Sequence, residues 1–137
     1  MKANPYLNFD GQCEAAFKFY ADVLGGEIVA KHSFGETPGC DHVPADFRDR
    51  MMHVHLVAGD VVLMGSDGIP DHPCEGVKGF SVALQVEKTS EAERIFHALA
   101  EKGTVQMPIQ ETFWSDRFGM LVDRFGVPWM VNCAKAG

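Results

Sequence analysis

Residues 13–26 (CEAAFKFYADVLGG) carry the sequence pattern that most clearly indicates the fold of this chain. Their apolar side chains recur every three or four positions, which is the period of a helix that buries one face. The pair Gly25-Gly26 follows the last apolar residue and predicts the end of that helix. The segment therefore predicts an amphipathic helix.

Residues 92–100 (AERIFHALA) reproduce the same period later in the chain. Superposing the two helices at a shift of 76 residues places Phe96 on Tyr20. Ser90 and Glu93 have the spacing of a capping box, and Gly103 predicts the end of the second helix. The sequence thus uses one supersecondary unit twice.

Short runs with the composition of β-strands surround both helices. They are Tyr6–Phe9, Glu27–Phe34, Met51–Val57 and Val61–Ser66 in the first half, and Gly79–Val86, Thr104–Glu111, Phe118–Val122 and Pro128–Val131 in the second. Each half reads strand, helix, strand, strand, strand, so we predict an α+β fold of two tandem βαβββ units. The units are expected at 1–67 and 79–137, within a single domain that spans 1–137.

Two segments lie outside this repeat. Residues 68–78 contain two prolines and two glycines, which indicates a linker between the units. Residues 35–50 form a long polar insertion that only the first unit has. An insertion of this length is either a lid over a binding site or a mobile loop.

The turn Gly59-Asp60 predicts the register of a hairpin in the first unit. Pairing outward from that turn gives the hairpin two faces, since side chains alternate along a strand. One face carries Val54, Leu56 and Leu63 and is expected to pack under the first helix, while the other carries His53, His55, Met64 and Ser66. A face that mixes polar and apolar side chains in this way suits the wall of a ligand pocket.

The strand predicted at 79–86 divides in a similar way. Phe80, Val82, Leu84 and Val86 form its apolar face, and Ser81, Ala83 and Gln85 form a small, polar one. Two sheets, each with one helix-packed face and one mixed face, predict a curved mixed β-sheet cleft that encloses a pocket.

Composition and charge exclude several classes of partner. The formal net charge is −7, and the 12 basic residues are scattered rather than concentrated on one stretch. We therefore expect no nucleic acid and no membrane surface as partners. No apolar run is long enough for a transmembrane helix, and the four cysteines form no C-x-x-C pair. Free thiols and a cytoplasmic location are expected.

Motifs along the whole chain point to a known family. They are Pro5-Tyr6-Leu7, Glu14-Ala15-Ala16, Leu24-Gly25-Gly26, Met52-His53, the run from Val62 to Asp67, the run from Phe113 to Gly119, Asp123, Phe125-Gly126 and Trp129. In order and spacing they resemble the vicinal-oxygen-chelate (glyoxalase and bleomycin-resistance) superfamily, in its PhnB-like branch. The resemblance implies paired βαβββ units, a frequent homodimer, and a divalent metal held by one residue from each of four strands.

The metal centre that the resemblance implies does not carry over to this sequence. The four ligand positions fall at or near Pro5, Gly65, Ser81 and Met130, and a slip of one residue offers Asn4, Ser66, Phe80 and either Trp129 or Val131 instead. Neither set supplies the imidazoles and carboxylates that divalent ions need. We predict no metal and no cofactor.

Several side chains remain as candidates for a ligand site. His53 and His55 share a face and are either an acid–base or metal-binding pair, or two hydrogen-bonded pocket residues. Trp114 and Arg117 are either a pocket wall and a clamp for an anion, or a structural brace through Asp116 or Asp123. The predicted ligand-binding residues are His53, His55, Met64, Ser66, Ser81, Gln85, Trp114 and Arg117.

Three hypotheses for function follow. The first is a small-molecule-binding protein without the family's metal centre, whose ligand and activity the sequence does not identify. The second is a metal-dependent lyase, isomerase or dioxygenase acting on a small metabolite, which predicts a bound ion or an acid–base pair such as His53 with Asp67. The third is the ubiquinone-pathway methyltransferase label that this branch has carried, for which the sequence offers no glycine-rich nucleotide loop.

Overall fold

The computed structural model describes residues 1–135, which form two compact units that begin at Met1 and Val77. The first contains β1 (Tyr6–Phe9), α1 (Cys13–Leu24), β2 (Glu27–Ser33), β3 (Met51–Ala58) and β4 (Val61–Asp67). The second contains β5 (Val82–Val86), α2 (Thr89–Ala100), β6 (Thr104–Gln110), β7 (Ser115–Val122) and β8 (Pro128–Ala134). The prediction of an α+β fold with two tandem βαβββ units is confirmed.

Each unit has its own four-stranded mixed sheet. The order is β1-β4-β3-β2 in the first unit and β5-β8-β7-β6 in the second, and in both the strand before the helix pairs in parallel with the last strand. No helix among residues 1–135 is long and apolar enough to cross a membrane.

The first helix forms where its apolar period predicts. Ala16, Phe17 and Tyr20 are fully buried, and Gly25 ends the helix in the left-handed region at φ 67°. Gly65 on β4 lets this helix approach the sheet closely, because a Cβ at that position would lie 2.6 Å from the ring of Phe17. The helix therefore packs closely on the sheet, because the ring of Phe17 fits against a glycine that has no side chain.

The second helix begins and ends differently from the prediction. It starts at Thr89 after Lys88, and no side chain caps its N-terminus. The prediction that Ser90 and Glu93 form a capping box is therefore wrong. At the other end Lys102, with φ 62°, takes the left-handed conformation expected of Gly103. Gly103 is needed for another reason, since a Cβ there would lie 2.4 Å from the carbonyl oxygen of Val122.

The hairpin register in the first unit is confirmed, but one strand of the second unit starts later than predicted. His55 pairs with Met64 and Leu56 with Leu63, as counted from the turn. By contrast, β5 begins only at Val82, and Phe80 lies outside it with 48% of its surface exposed. Gly79, at φ 76°, interrupts the extended run, so Phe80 does not belong to the buried face of the strand.

Two buried carboxylates hold loops in place. The Oδ1 atom of Asp67 accepts hydrogen bonds from the backbone N–H groups of Gly11 (2.8 Å) and Cys13 (2.9 Å), and its Oδ2 accepts from Met51 (2.9 Å). Burial, together with the nearby charge of Asp67, raises the pKa of the Cys13 thiol far above its ordinary value. This thiol is therefore protonated and unreactive in the folded protein.

Asp123 plays the corresponding part in the second unit. Its Oδ1 atom accepts from the backbone N–H groups of Phe125 (2.8 Å) and Val127 (3.0 Å), and its Oδ2 accepts from the indole N–H of Trp129 (2.8 Å). Trp129 is fully buried. The carboxylate thus satisfies the one polar atom of the largest side chain in the core.

The insertion at 35–50 is ordered into short 3-10 turns at Phe34–Glu36, Cys40–His42 and Ala45–Phe47. Val43, within this insertion, is buried, and the guanidinium of Arg48 donates to the carbonyl oxygen of Val43 at 3.0 Å. All four cysteines are free thiols, two of them buried and two partly exposed.

Candidate functional site

The open face of the first sheet, the face turned away from α1, gathers polar and aromatic side chains. Alternation along the strands places Tyr6 and Asn8 of β1, His53 and His55 of β3, and Met64 and Ser66 of β4 on this face. Buried Leu7, Val54, Leu56 and Leu63 alternate with them and face the helix. The structure therefore brings together four of the predicted site residues, His53, His55, Met64 and Ser66.

The two predicted histidines contact each other and a tyrosine. The rings of His53 and His55 lie edge to face with centroids 6.3 Å apart, and Tyr6 stacks on His53 at 5.9 Å. The Tyr6 hydroxyl lies 3.3 Å from Nδ1 of His53 and donates to it when that nitrogen is unprotonated. His32 of β2 pairs with His53 across the sheet. The sequence did not indicate His32 because only strand pairing brings it there.

The histidines and the tyrosine of this face do not form the four-ligand metal centre that the family resemblance implies. Among residues 1–135 no group of three or more histidine, cysteine, aspartate or glutamate side chains is arranged to hold a metal ion. At Gly65, one of the expected ligand positions, any side chain would point at Phe17 and the carbonyl oxygen of Leu7 rather than at the open face. The chemistry of the residues present therefore does not fit the expected ion.

Asp67 is not available as the acid–base partner of His53 either. Both of its oxygens already accept backbone N–H groups, and the side chain is 5% exposed. A carboxylate committed to three amide donors is a structural acceptor rather than a proton carrier.

A cavity of about 430 Å³, which we call the first cavity, lies at one end of the open face of the first unit. Asn8 and Ser66 line it from the sheet, Phe34 and Met52 from the insertion and its border, and His72 and Cys74 from the segment after β4. The thiol of Cys74 donates to the carbonyl oxygen of Asn8 at 3.4 Å. Sequence reasoning found only Ser66 here, because the other walls come from segments without a periodic pattern.

The open face of the second sheet carries amides instead of imidazoles. The Nδ2 amide of Asn132 donates to Oε1 of Gln85 at 2.7 Å, and the Ser115 hydroxyl donates to Oδ1 of Asn132. Gln85 and Asn132 are register partners, as Asn8 and Ser66 are in the first unit. The predicted residue Gln85 thus belongs to a short chain of hydrogen bonds at the equivalent place.

A cavity of about 580 Å³, which we call the second cavity, lies within the second unit. Lys78, Phe80 and Ser81 line it from the segment before β5, and Gln106, Met120 and Met130 line it from the strands. Ser81, predicted from the sequence, is therefore a wall of this cavity. The contribution of Lys78 was not predicted, because nothing in its immediate sequence marks it.

Trp114 and Arg117 lie in different surroundings. Trp114 is 49% exposed and stacks edge to face on Phe113, which is 88% exposed. The Nε of Arg117 donates to Glu93 of α2 at 2.9 Å, and its Nη1 donates to the carbonyl oxygen of Asp116. Arg117 therefore braces the helix against the sheet, and the acid it pairs with is Glu93 rather than Asp116 or Asp123.

Fold and site together define a class of protein. The sequence model of the Glyoxalase/Bleomycin resistance protein/Dioxygenase superfamily matches residues 2–131. The chain therefore belongs to this superfamily.

Individual relatives agree with this assignment. Protein YjdN from Escherichia coli K12 is 38% identical over 144 aligned positions, which cover 98% of this chain and 97% of YjdN. The crystal structure of protein PA1353 from Pseudomonas aeruginosa superposes with a TM-score of 0.90 at 50% identity and covers 99% of each chain. A PhnB protein from Bacillus cereus, provisionally named a 3-demethylubiquinone-9 3-methyltransferase, superposes with a TM-score of 0.79 at 25% identity, covering 98% of this chain and all of that one.

Proposed function

We propose that this chain binds a small organic molecule through the open faces of its sheets, by shape and hydrogen bonding, without the metal centre of its superfamily. Superfamily membership supports the small-molecule ligand. The donor set supports the absence of the metal, since proline, glycine, serine and methionine occupy the ligand positions. The first and second cavities, of about 430 and 580 Å³, have the size of small-molecule sites.

The observation that carries this proposal is the setting of Gly65. A side chain at this position would point toward the helix, where Phe17 and the Leu7 carbonyl oxygen leave no room for it, so it could not ligate an ion on the open face. The side-chain donors that the strands place on the open faces are imidazole, hydroxyl and amide groups. Such groups orient the polar end of a ligand, while the methionines accommodate its apolar part.

A second candidate function is a metal-dependent lyase, isomerase or dioxygenase. The observation that favours it is the histidine cluster of His53 and His55 on one strand with His32 opposite. Imidazole binds zinc, nickel, copper and iron, so this cluster could hold a metal at residues other than the four ligand positions that the family resemblance implies.

Thermal melting separates the two functions. Because a ligand that binds only the folded state raises its stability by mass action, a tightly held metal must change the melting temperature. We expect no change on adding a chelator, or on adding nickel, zinc, manganese or iron in turn. A large rise with one metal, lost in both His53→Ala and His55→Ala, would reverse the assignment in favour of the enzyme.

A methyltransferase activity, suggested by the name of the Bacillus cereus relative, has less support in this chain. The turn before α1 is Asp10-Gly11-Gln12, and the amides of Gly11 and Cys13 already donate to Asp67. They are not free to receive a nucleotide cofactor as the glycine-rich turns of other folds do. We expect S-adenosylmethionine to leave the melting temperature unchanged, and a saturable rise would contradict this.

We also propose that the protein is a homodimer and acts in the cytoplasm. Members of the superfamily often dimerise, and the exposed pair Phe113 and Trp114 supplies aromatic surface of the kind enriched in interfaces. Free thiols suit a reducing compartment. Sedimentation at micromolar concentration tests the dimer, and a single species near 15.1 kDa would contradict it.

A further inference from the structure

We infer that the second cavity binds an organic monoanion, namely a carboxylate attached to an aromatic or similarly flat apolar body. This inference rests on the proposed function and adds the chemical class of a ligand to it. Three features of the cavity lead to this class: its charge, its unpaired hydrogen-bond donors and its sulfur-rich walls.

The charge of the second cavity is positive. Among the described residues that line it, Lys78 is the only charged one. The Lys78 ammonium forms no ion pair or hydrogen bond with any of residues 1–135. Because no carboxylate of the described residues neutralises it, this lysine attracts an anion to the cavity, even though the chain as a whole has a net charge of −7.

Two neutral donors share the cavity with this cation. The side chains of Ser81 and Gln106 also make no hydrogen bond within the described part of the chain. Gln106 occupies a break in the register between β6 and β7, and bulges of this kind redirect a side chain. One ammonium, one hydroxyl and one amide N–H match the acceptor sites of a carboxylate.

The remaining walls suit a flat apolar body. Met120 and Met130 are register partners on the open face, and Phe80, 48% exposed, also lines the cavity. Methionine sulfur makes favourable contacts with aromatic rings and adapts to irregular shapes. A ligand in the second cavity would cover Phe80, one of the large apolar side chains that the chain leaves exposed.

Two other places in the described part of the chain suit this anion less well. Arg117, which the sequence suggested as an anion clamp, is already paired with Glu93. The first cavity is lined by the acidic residues Asp67 and Glu75, and among the described residues that line it His72 is the only basic one. An anion should therefore prefer the second cavity.

Binding of three naphthalene probes to the full-length protein tests this inference. They are 2-naphthoate, neutral 2-naphthalenemethanol and cationic 2-naphthylmethylammonium, which share the ring and differ in charge. We expect 2-naphthoate to bind roughly 5- to 10-fold more tightly than the alcohol at low salt, and the cation to bind most weakly. This preference should shrink at about 1 M salt, where screening is strong.

Variants assign the preference to one side chain. Lys78→Gln should remove it, Lys78→Arg should retain it, and Lys88→Gln, on an exposed lysine of the same unit outside the cavity, should leave it unchanged. Amide chemical shifts should move at Ser81, Gln106 and Met130. Equal affinities for the three probes, or a preference that survives Lys78→Gln, would overturn the inference.

The same experiment distinguishes this inference from the proposed function. If 2-naphthoate shifts only residues of the first cavity, such as Asn8 and Ser66, the chain still binds small molecules but the inference about the second cavity is wrong. If none of the probes shifts either cavity at millimolar concentration, both proposals are contradicted.

Discussion

The two units share a fold but differ on the face of the sheet that is turned away from the helix. On the helix side they solve the same packing problem in the same way, because Gly65 meets the ring of Phe17 and Gly119 meets the ring of Phe96, each at 2.6 Å from the place of a Cβ. On the open side the first unit carries imidazoles and a phenol, and the second carries thioethers and amides. Core packing restricts the residue types on the helix side of each sheet, whereas the residues on the open side can differ between the two units.

The buried carboxylates extend this comparison. Asp67 joins three segments that are distant in sequence, the start of α1, the start of β3 and the end of β4. Asp123 joins one turn and the neighbouring Trp129. The first unit therefore depends on its carboxylate for tertiary structure, and the second depends on its carboxylate mainly for a local turn.

The largest expected effect is that of removing these carboxylates. Asp67→Ala should lower the free energy of unfolding by about 3–5 kcal/mol, since it leaves buried N–H groups without an acceptor. Asp123→Ala should cost less, because the backbone bonds of Asp123 with Val127 and Gly126 still hold that turn. Urea unfolding, followed by amide NMR signals of each unit, measures the difference. Asp22→Ala, on the exposed side of α1, is the control, and an equal effect of Asp67→Ala and Asp22→Ala would contradict this account.

An intermediate effect is expected where glycine meets an aromatic ring. Gly65→Ala and Gly119→Ala should each cost about 1–3 kcal/mol through overpacking. Gly65→Ala should be the more damaging, because its Cβ would also lie 2.7 Å from the Leu7 carbonyl oxygen, which is backbone and does not move aside. Thermal melting measures both changes against Gly35→Ala in the insertion. If Gly119→Ala lowered the melting temperature more than Gly65→Ala, the contact between the first helix and its sheet would not be the tighter of the two.

The smallest effect concerns the ion pairs that join helix to sheet on the surface. Lys31 lies 2.6 Å from Glu14 in the first unit, and its hydrogen bond and charge lower the pKa of the Glu14 carboxyl. The stabilisation from this carboxylate is therefore present above its ordinary pKa and is lost as the pH falls through the lowered one. Solvent screens both partners, so Glu14→Gln should lower the melting temperature at pH 7 by no more than about 3 °C.

The pH dependence of that small effect is its test. The difference between wild type and Glu14→Gln should vanish once the carboxyl is protonated in both states, and Glu87→Gln, on an exposed acid without an ion pair, should show no difference at any pH. A difference that persists in acid would mean that Glu14 stabilises α1 by something other than its charge.

The sequence determined the elements whose signal is local. The period of Ala16, Phe17 and Tyr20 predicted α1, and the turn Gly59-Asp60 predicted the pairing of β3 with β4, because the residues that decide these features are a few positions apart. The same reasoning placed His53, His55, Met64 and Ser66 on one face. It was wrong at Ser90, where a capping pattern is present but the N-cap is Lys88, two residues earlier.

Tertiary structure alone decided the partners of the charged groups and the walls of the cavities. No local pattern tells that Arg117 meets Glu93, that Asp67 accepts from Met51, or that Lys78 and Gln106 line one cavity. These contacts join residues far apart in the chain, and they depend on strand order, on a bulge and on a segment without regular structure. Periodicity reports which side of an element is buried, whereas the neighbour across a loop is fixed only when the chain has folded.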